Sequence, residues 1–197
     1  MTMLDLAQKR RSCYHLTNKI PLPQEQLISL VQEAVKQAPS AFNSQSARVL
    51  ILLGEKHTHF WQLVLTELKK IVPAENFAPT QEKINSFAAA YGTLLFFEDW
   101  SVVEALQQKF PAYKDNFPLW AYESNGRLEY IIWTALAEQN IGASLQHYNP
   151  LIDEAVRQSC KVSQTWKLLA QMPFGEITAG PAPKDFLPLK QRVQVQK

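Results

Sequence analysis

Glycine is scarce in this chain, and its spacing excludes several large classes of nucleotide-binding protein. The 197 residues include six glycines, and none of them forms the GxGxxG fingerprint of a dinucleotide-binding fold. Gly175 and Gly180 have the separation of a Walker A motif, but Pro181 and Ala182 follow where that motif requires Lys and Ser or Thr. No GxSxG nucleophile elbow occurs. A Rossmann enzyme, a P-loop NTPase and a serine hydrolase of the usual kind are therefore disfavoured.

Cysteine, net charge and long apolar runs are also limited. Cys13 and Cys160 lie far apart and match no metal spacing, so reduced packing residues are the simpler interpretation. A net charge of +2 gives no field that favours nucleic acid. The longest apolar runs, such as 49–53 and 94–97, fall far short of the roughly 18 residues of a membrane-spanning helix. The acidic N-terminus is unlike a signal peptide. We expect a soluble, cytoplasmic protein that binds neither membrane nor nucleic acid.

Hydrophobic periodicity predicts one α+β domain over residues 1–197. Hydrophobic residues make up 46% of the chain, which is enough for a single core. Helices are predicted over 24–38, 60–72, 84–91, 102–110, 127–141 and 150–160. Strands are predicted over 49–53, 94–97 and 166–172. Two prolines predict an excursion from the core at 111–118, and three more predict that the tail from Pro173 is extended and irregular.

A basic segment near the N-terminus has the groups that bind phosphate. Arg10, Arg11 and Ser12 place two guanidiniums and a hydroxyl side by side, and the planar fork of arginine suits a phosphate dianion. Taken alone, the segment is better explained as the solvated end of a helix, because cations are stabilised at helix C-termini. An arm that touches nucleic acid is a weaker third interpretation. Lys184, in the proline-rich tail, would either return a cation to the phosphate or remain solvated.

A polar turn follows the first predicted core helix. Pro39 disfavours continuation of the helix, so residues 40–45 should form an ordered turn. Four of these six residues carry short hydroxyl or amide side chains: Ser40, Asn43, Ser44 and Gln45. Such residues either hydrogen-bond their own backbone or orient a polar heterocycle, since amides match the edge of a pyrimidine-like ring. Combined with the arginine segment, the turn suggests a phosphorylated flavin.

The four histidines predict no metal site. His57 and His59 stand two apart without an acidic or cysteine partner at metal spacing, so surface or capping roles are expected. His147 lies in the polar loop 145–150, which follows a helix ended by Gly142. A loop at the end of a core helix is a plausible wall of a binding site.

These segments, in this order, resemble the nitroreductase family of flavin-dependent oxidoreductases over nearly the whole chain. The runs 140–150 (NIGASLQHYNP) and 172–176 (MPFGE) look like a short subgroup found in bacteria and fungi. The resemblance implies an α+β fold with a central mixed or antiparallel sheet surrounded by helices. It also implies an intertwined homodimer with one FMN in each of two clefts at the subunit interface.

The resemblance further implies a reaction. Hydride from NADH or NADPH would reach the flavin, and the same site would then reduce a nitroaromatic, quinone or similar acceptor. Because the flavin carries the chemistry, no catalytic side chain is expected. One alternative is a non-catalytic FMN-binding redox sensor or regulator on the same fold. Another is a helical interaction module in which the two arginines simply lie on the surface.

Matching motif to motif assigns the flavin contacts that the resemblance implies. The phosphate and ribityl end would contact Arg10, Arg11, Ser12 and Lys184. The ring would contact Pro39, Ser40, Phe42, Asn43 and Gln45, with Phe42 and Asn43 reaching across the interface, and its edge would contact the backbone of Leu145, Gln146 and His147. Tyr14 departs from the pattern, since many relatives carry a basic residue there. Five aromatic residues would either line a substrate pocket or form dimer core: Phe110, Tyr113, Phe117, Trp120 and Tyr122.

Overall fold

One antiparallel sheet forms the centre of the protein. The computed structural model describes all 197 residues. Its strands are β1 (Leu16–Thr17), β2 (Ala47–Leu53), β3 (Gly92–Asp99), β4 (Ile141–Ala143) and β5 (Trp166–Ile177). The strands run in the order β1-β5-β3-β2, and β4 also pairs with β5. Each of these pairings is antiparallel, which agrees with the α+β prediction.

Seven helices surround the sheet. They are α1 (Met3–Lys9), α2 (Gln24–Gln37), α3 (Glu55–Leu68), α4 (Phe77–Ala88), α5 (Trp100–Lys109), α6 (Phe117–Glu138) and α7 (Asp153–Cys160). The capping box of Thr2 and Asp5 satisfies the first backbone donors of α1. None of the seven helices has the length and apolar character needed to cross a membrane.

Strand β3 is the centre of the core because helices cover both faces of the sheet. All of its residues are buried, and alternate side chains point to opposite faces. Leu94 and Phe96 pack with side chains of α2 and α6. Leu95 and Phe97 pack with side chains of α3, α4 and α7. The continuous apolar run of this strand is thus explained by burial on two sides.

His57 lies in the interior, so a surface role is wrong, but it does have the expected capping role because it bonds the last carbonyl of α4. Its side chain is 2% exposed, and burial lowers the pKa of the imidazole. Nε2 lies 3.1 Å from the carbonyl oxygen of Ala88 and Nδ1 lies 2.8 Å from the hydroxyl of Thr93. Nε2 must therefore donate and Nδ1 accept from Thr93, whose oxygen also accepts from the indole of Trp61 at 2.9 Å. The histidine is neutral and structural.

Several predicted segments differ from the structure. Helices α3 and α4 begin five and seven residues before their predicted starts at 60 and 84, and both end earlier than predicted. Helix α6 begins at Phe117, ten residues before its predicted start. The excursion predicted over 111–118 therefore ends before Phe117. Pro118 is tolerated because the first turn of a helix needs no backbone donor. Strand β5 continues through Pro173 to Ile177, where an irregular tail was predicted. This extension pairs with β4 and β1, two short strands that the sequence did not predict.

Candidate functional site

Arg10 is held by aromatic rings at the end of α1. Its guanidinium carbon lies 4.2 Å from the ring centroid of Trp133 and 5.8 Å from that of Tyr130, both on α6. Cation–π contacts of this kind favour a fixed orientation of the side chain. The Nε of Arg10 is buried and has no protein partner. A buried donor without an acceptor costs free energy, so this group is suited to an anionic ligand.

The arginine segment and the proline-rich tail line one cleft of about 440 Å³, here called the arginine cleft. Arg11 donates from Nη2 to the carbonyl oxygen of Ala182 at 2.6 Å, which ties the tail to the segment. The lining residues are Arg10, Arg11, Ser12, Tyr14, His15 and 180–184. Lys184 is among them, so the four residues predicted to hold the phosphate lie together. Three cations and no carboxylate line the cleft, which favours a dianion.

The turn after α2 has an unusual backbone. Phe42, Asn43 and Gln45 have φ values of 55°, 52° and 49°, in the left-handed region that non-glycine residues seldom adopt. Residues 40–46, here called the strained turn, include a short 3₁₀ helix over Ala41–Asn43. Each such residue costs on the order of 1–3 kcal/mol, and strain of this kind concentrates at binding sites. The predicted ordered turn is present, in a conformation that the sequence did not reveal.

Part of the strained turn lines a second cleft, here called the ring cleft, of about 520 Å³. Pro39, Ser40 and Gln45 contribute to its wall together with apolar side chains of α2, β2 and α6. Mostly apolar walls with a few polar groups are typical of sites for aromatic ligands. Phe42 lines an adjoining cleft of about 350 Å³ instead, and Asn43 lines none of these three.

The predicted aromatic set is divided by the structure. Phe42 packs against four of its members, with ring centroids 5.0–6.0 Å apart; these are Phe110, Tyr113, Phe117 and Trp120. Tyr122 packs elsewhere, against Trp100 at 5.7 Å. The cluster around Phe42 joins the strained turn to the beginning of α6 and so helps to offset its backbone strain.

The loop predicted at the ring edge is fixed by β5. Gln146 donates from its backbone to the carbonyl oxygen of Gln171 at 2.7 Å and accepts from the backbone of Gln171 at 2.9 Å. Its side chain donates to Ser144 at 3.1 Å. Leu145 is half-buried and His147 is exposed. These predicted residues line neither the arginine cleft nor the ring cleft.

Sequence reasoning missed a buried polar group beneath the strained turn. Glu98 is fully buried, and its Oε2 accepts from the amide of Asn125 at 3.0 Å. Burial raises the pKa of Glu98, and the neighbouring Ser46, Asn125 and Arg48 oppose the rise only in part. Ser124 accepts from the backbone of Ala41 at 3.3 Å. The polar pair 124–125 interrupts the buried face of α6, and that interruption was the available signal.

The two halves of the predicted flavin site lie in different clefts of one chain. The arginine cleft and the ring cleft share no lining residue. No group of three or more His, Cys, Asp or Glu side chains is arranged to hold a metal ion. The arrangement therefore provides one anionic and one aromatic half-site.

Comparison with known proteins supplies the family. Residues 7–176 match the model of the nitroreductase family, including the arginine segment and the strained turn. The chain belongs to the nitroreductase family. It is 32% identical over 186 residues to nitroreductase FRM2 of Saccharomyces cerevisiae (strain ATCC 204508 / S288c), covering 93% of this chain and 92% of that protein. The resemblance noted in the sequence is confirmed.

Solved structures agree with this assignment. Nitroreductase CinD from Lactococcus lactis in complex with chloramphenicol is 42% identical, with a TM-score of 0.92 over 100% of both chains. A structure of that protein with 4-nitrophenol has a TM-score of 0.91, with the same identity and coverage. A nitroreductase with bound FMN from Desulfitobacterium hafniense DCB-2 shares the fold at 18% identity, with a TM-score of 0.71 over 98% of this chain and 97% of that chain. The nitroreductase fold is therefore established for this chain.

Proposed function

We propose that this nitroreductase is an FMN-dependent oxidoreductase that uses NADH or NADPH to reduce nitroaromatic, quinone or similar acceptors. The observation that carries the proposal is the arginine cleft, in which three cations and a buried, unpartnered Nε stand without a carboxylate. Family membership makes the protein an oxidoreductase. The FMN bound by the Desulfitobacterium protein supports the choice of flavin. We also expect the protein to act in the cytoplasm.

The residues present fit FMN. Arg10, Arg11, Ser12 and Lys184 would hold its phosphate and ribityl end, and charge-assisted hydrogen bonds from arginine suit that role. Pro39, Ser40 and Gln45 would approach the ring, with the loop 145–147 at its edge. Bound FMN supplies a ring that accepts hydride and passes it on. The side chains of this chain bind, orient and exclude water, so none is assigned a proton-transfer role.

We further propose that the site is completed by a second copy of the chain. Because the arginine cleft and the ring cleft share no residue, one flavin would contact the arginine cleft of one protomer and the strained turn of its partner. Exposed apolar side chains at both ends of the chain support an extensive contact between protomers; they include Met3, Leu4, Phe186, Leu187 and Leu189.

The acceptor class rests on the relatives. The CinD structures hold chloramphenicol and 4-nitrophenol, which supports small aromatic acceptors here. The cleft beside Phe42 and Trp120, with its aromatic wall, would suit such molecules.

The first experiment measures flavin content and reduction. Purified protein should be yellow, and NADH or NADPH should bleach the flavin absorbance under anaerobic conditions. Addition of 4-nitrophenol or a quinone should then restore the absorbance and sustain NAD(P)H oxidation. A colourless protein that takes up no added FMN would contradict the proposal. Bleaching without turnover on any acceptor would instead favour the redox sensor.

The second experiment removes the phosphate contacts. The double substitution Arg10→Ala and Arg11→Ala should weaken FMN binding about 100-fold, since two charge-assisted hydrogen-bonding groups are lost. The matched control is Lys69→Ala with Lys70→Ala, two exposed lysines just after the end of α3, where Lys70 pairs with Glu67. That variant loses the same charge and should bind FMN as the unmodified protein does. Equal affinities of the two double variants for FMN would show that the arginine segment lies on the surface without binding the cofactor.

A further inference from the structure

The strained turn requires a restraint from outside itself. Its own hydrogen bonds are local: the backbones of Asn43 and Ser44 donate to the carbonyl oxygens of Ser40 and Ala41 at 3.0 and 3.1 Å. The backbone of Gln45 donates to Ser40 Oγ at 3.0 Å, and the hydroxyls of Ser44 and Ser46 lie 3.1 Å apart, so none of these bonds ties the turn to another element. Three left-handed residues within four positions persist only where the surroundings fix them. The carbonyl of Gln45 is the point at which such a restraint acts.

Ser124 and the aromatic cluster around Phe42 hold the beginning of the turn, and Arg48 restrains its end. Its Nη1 donates to the carbonyl oxygens of Gln45 at 2.7 Å and Ala47 at 3.0 Å. Its Nη2 donates to Oδ2 of Asp99 at 3.1 Å. The guanidinium therefore joins the end of the turn to the end of β3.

Asp99 is itself held in place. Its backbone donates to the carbonyl oxygen of Ser46 at 2.9 Å, and its Oδ1 accepts from the hydroxyl of Ser101 at 2.7 Å. The side chain of Asp99 is 13% exposed and that of Arg48 is 30% exposed. A shielded pair of this kind is less weakened by solvent than a surface ion pair. The anchor for Arg48 is therefore rigid.

We propose that Arg48 is a positioning residue for the ring-binding half of the flavin site, because its guanidinium fixes the Gln45 carbonyl and with it the turn that presents Ser40 and Gln45 to the ring cleft. The flavin part of this statement rests on the proposed function; the restraint itself belongs to the flavin-free chain. Arginine is required because its planar fork bonds a carbonyl and a carboxylate at once, whereas lysine offers a single compact ammonium.

Arg48 also lines the ring cleft. The competing explanation is therefore that its positive charge alone, and not its hold on the turn, favours flavin binding. The substitution Arg48→Lys separates the two, because it keeps the charge and loses the fork. Arg48→Met removes both. Arg157→Lys on α7 is the matched control, since Arg157 pairs with Glu154 on the opposite side of the sheet.

The deciding measurement is amide hydrogen exchange of the full-length, flavin-free protein. In Arg48→Lys, exchange in the segment 41–46 should rise about tenfold or more, while exchange in β3 stays unchanged. Arg157→Lys should leave the segment unchanged. Asp99→Asn should produce a smaller rise in the same segment, because it weakens the hold on Arg48 while keeping the side-chain size. If Arg48→Met fails to fold, Arg48→Lys and Asp99→Asn carry the test.

FMN titration then connects the turn to the site. Arg48→Lys and Arg48→Met should weaken FMN binding to a similar extent, by about tenfold. Unchanged exchange in Arg48→Lys overturns the proposal, as does normal FMN binding by Arg48→Lys with weak binding by Arg48→Met, which assigns the effect to charge. If exchange rises as expected but the unmodified protein binds no FMN, the proposed function fails while the restraint stands.

Discussion

At the scale of single residues, the protein contains carboxyl groups that are harder to ionise because they are buried. Burial raises the pKa of Glu129, on α6, from 4.5 to about 7. The side chain is half-buried and forms no ion pair among the salt bridges of the protein. Since the pKa of Glu129 is higher in the folded than in the unfolded state, the folded state binds more protons than the unfolded state between pH 4.5 and about 7. Glu129 therefore lowers stability as the pH rises.

Glu129→Gln should remove that pH dependence. The unmodified protein should lose free energy of unfolding, relative to the variant, as the pH rises from 4.5 through about 7, and the difference should level off above that pH. Urea unfolding at several pH values measures the difference, and the contribution of Glu98 cancels because it is present in both proteins. The exposed Glu104→Gln is the control and should follow the unmodified protein. Parallel curves for Glu129→Gln would contradict the assignment.

At the scale of elements, two glycines should respond in opposite ways to alanine. A Cβ on Gly175, in β5, would overlap the carbonyl oxygen of Thr17 and lie 3.1 Å from the backbone nitrogen of Tyr91. Gly175→Ala should therefore lower the free energy of unfolding by about 1–3 kcal/mol or more. Gly126, in α6, has nothing within 4 Å of an added Cβ, and Gly126→Ala should raise stability by about 1 kcal/mol. Thermal or urea unfolding measures the stability of the two variants. If Gly175→Ala were as stable as Gly126→Ala, β1, which contains Thr17, would have to move away from β5 to make room for the added Cβ.

The elements also show what sequence can predict. Helix α2 and strand β3 were predicted because their own side chains carry the pattern: helical spacing in one and a continuous apolar run in the other. The early start of α6, the continuation of β5 beyond Pro173 and the short strands β1 and β4 were missed. The strand features depend on pairing with distant segments, which no local period reveals. The start of α6 was missed because Pro118, which suits a first turn, was read as a helix breaker.

The candidate site likewise has a part that the sequence predicts and a part that it does not. Arg10, Arg11, Ser12 and Lys184 were predicted, and the structure brings them into one cleft; their role in binding FMN stays a prediction. The left-handed residues of the strained turn carry no glycine signal. The restraint by Arg48 was equally invisible, because its partner Asp99 lies on another strand.

At the scale of the whole molecule, a site shared by two protomers predicts complementation. Arg10→Ala with Arg11→Ala, and separately Ser40→Ala with Gln45→Ala, should each give a dimer with little flavin. Co-expression should restore flavin, because a mixed dimer has one site built from two unaltered halves. Light scattering measures the dimer and absorbance measures bound FMN. Flavin content no higher than the mean of the two variants would indicate that each site lies within one chain.

The central position of β3 also constrains how the chain folds. Gly92 pairs with Leu53 on one side and with Phe174 on the other, so the strand is covered only after nearly all of the chain has been synthesised. Pairings between such distant residues slow folding, because loop closure precedes any gain from contact. Until β5 arrives, the apolar run of β3 is exposed to other chains and favours aggregation. A lower level of expression should therefore raise the folded fraction, because it lowers the concentration of chains whose β3 is still exposed.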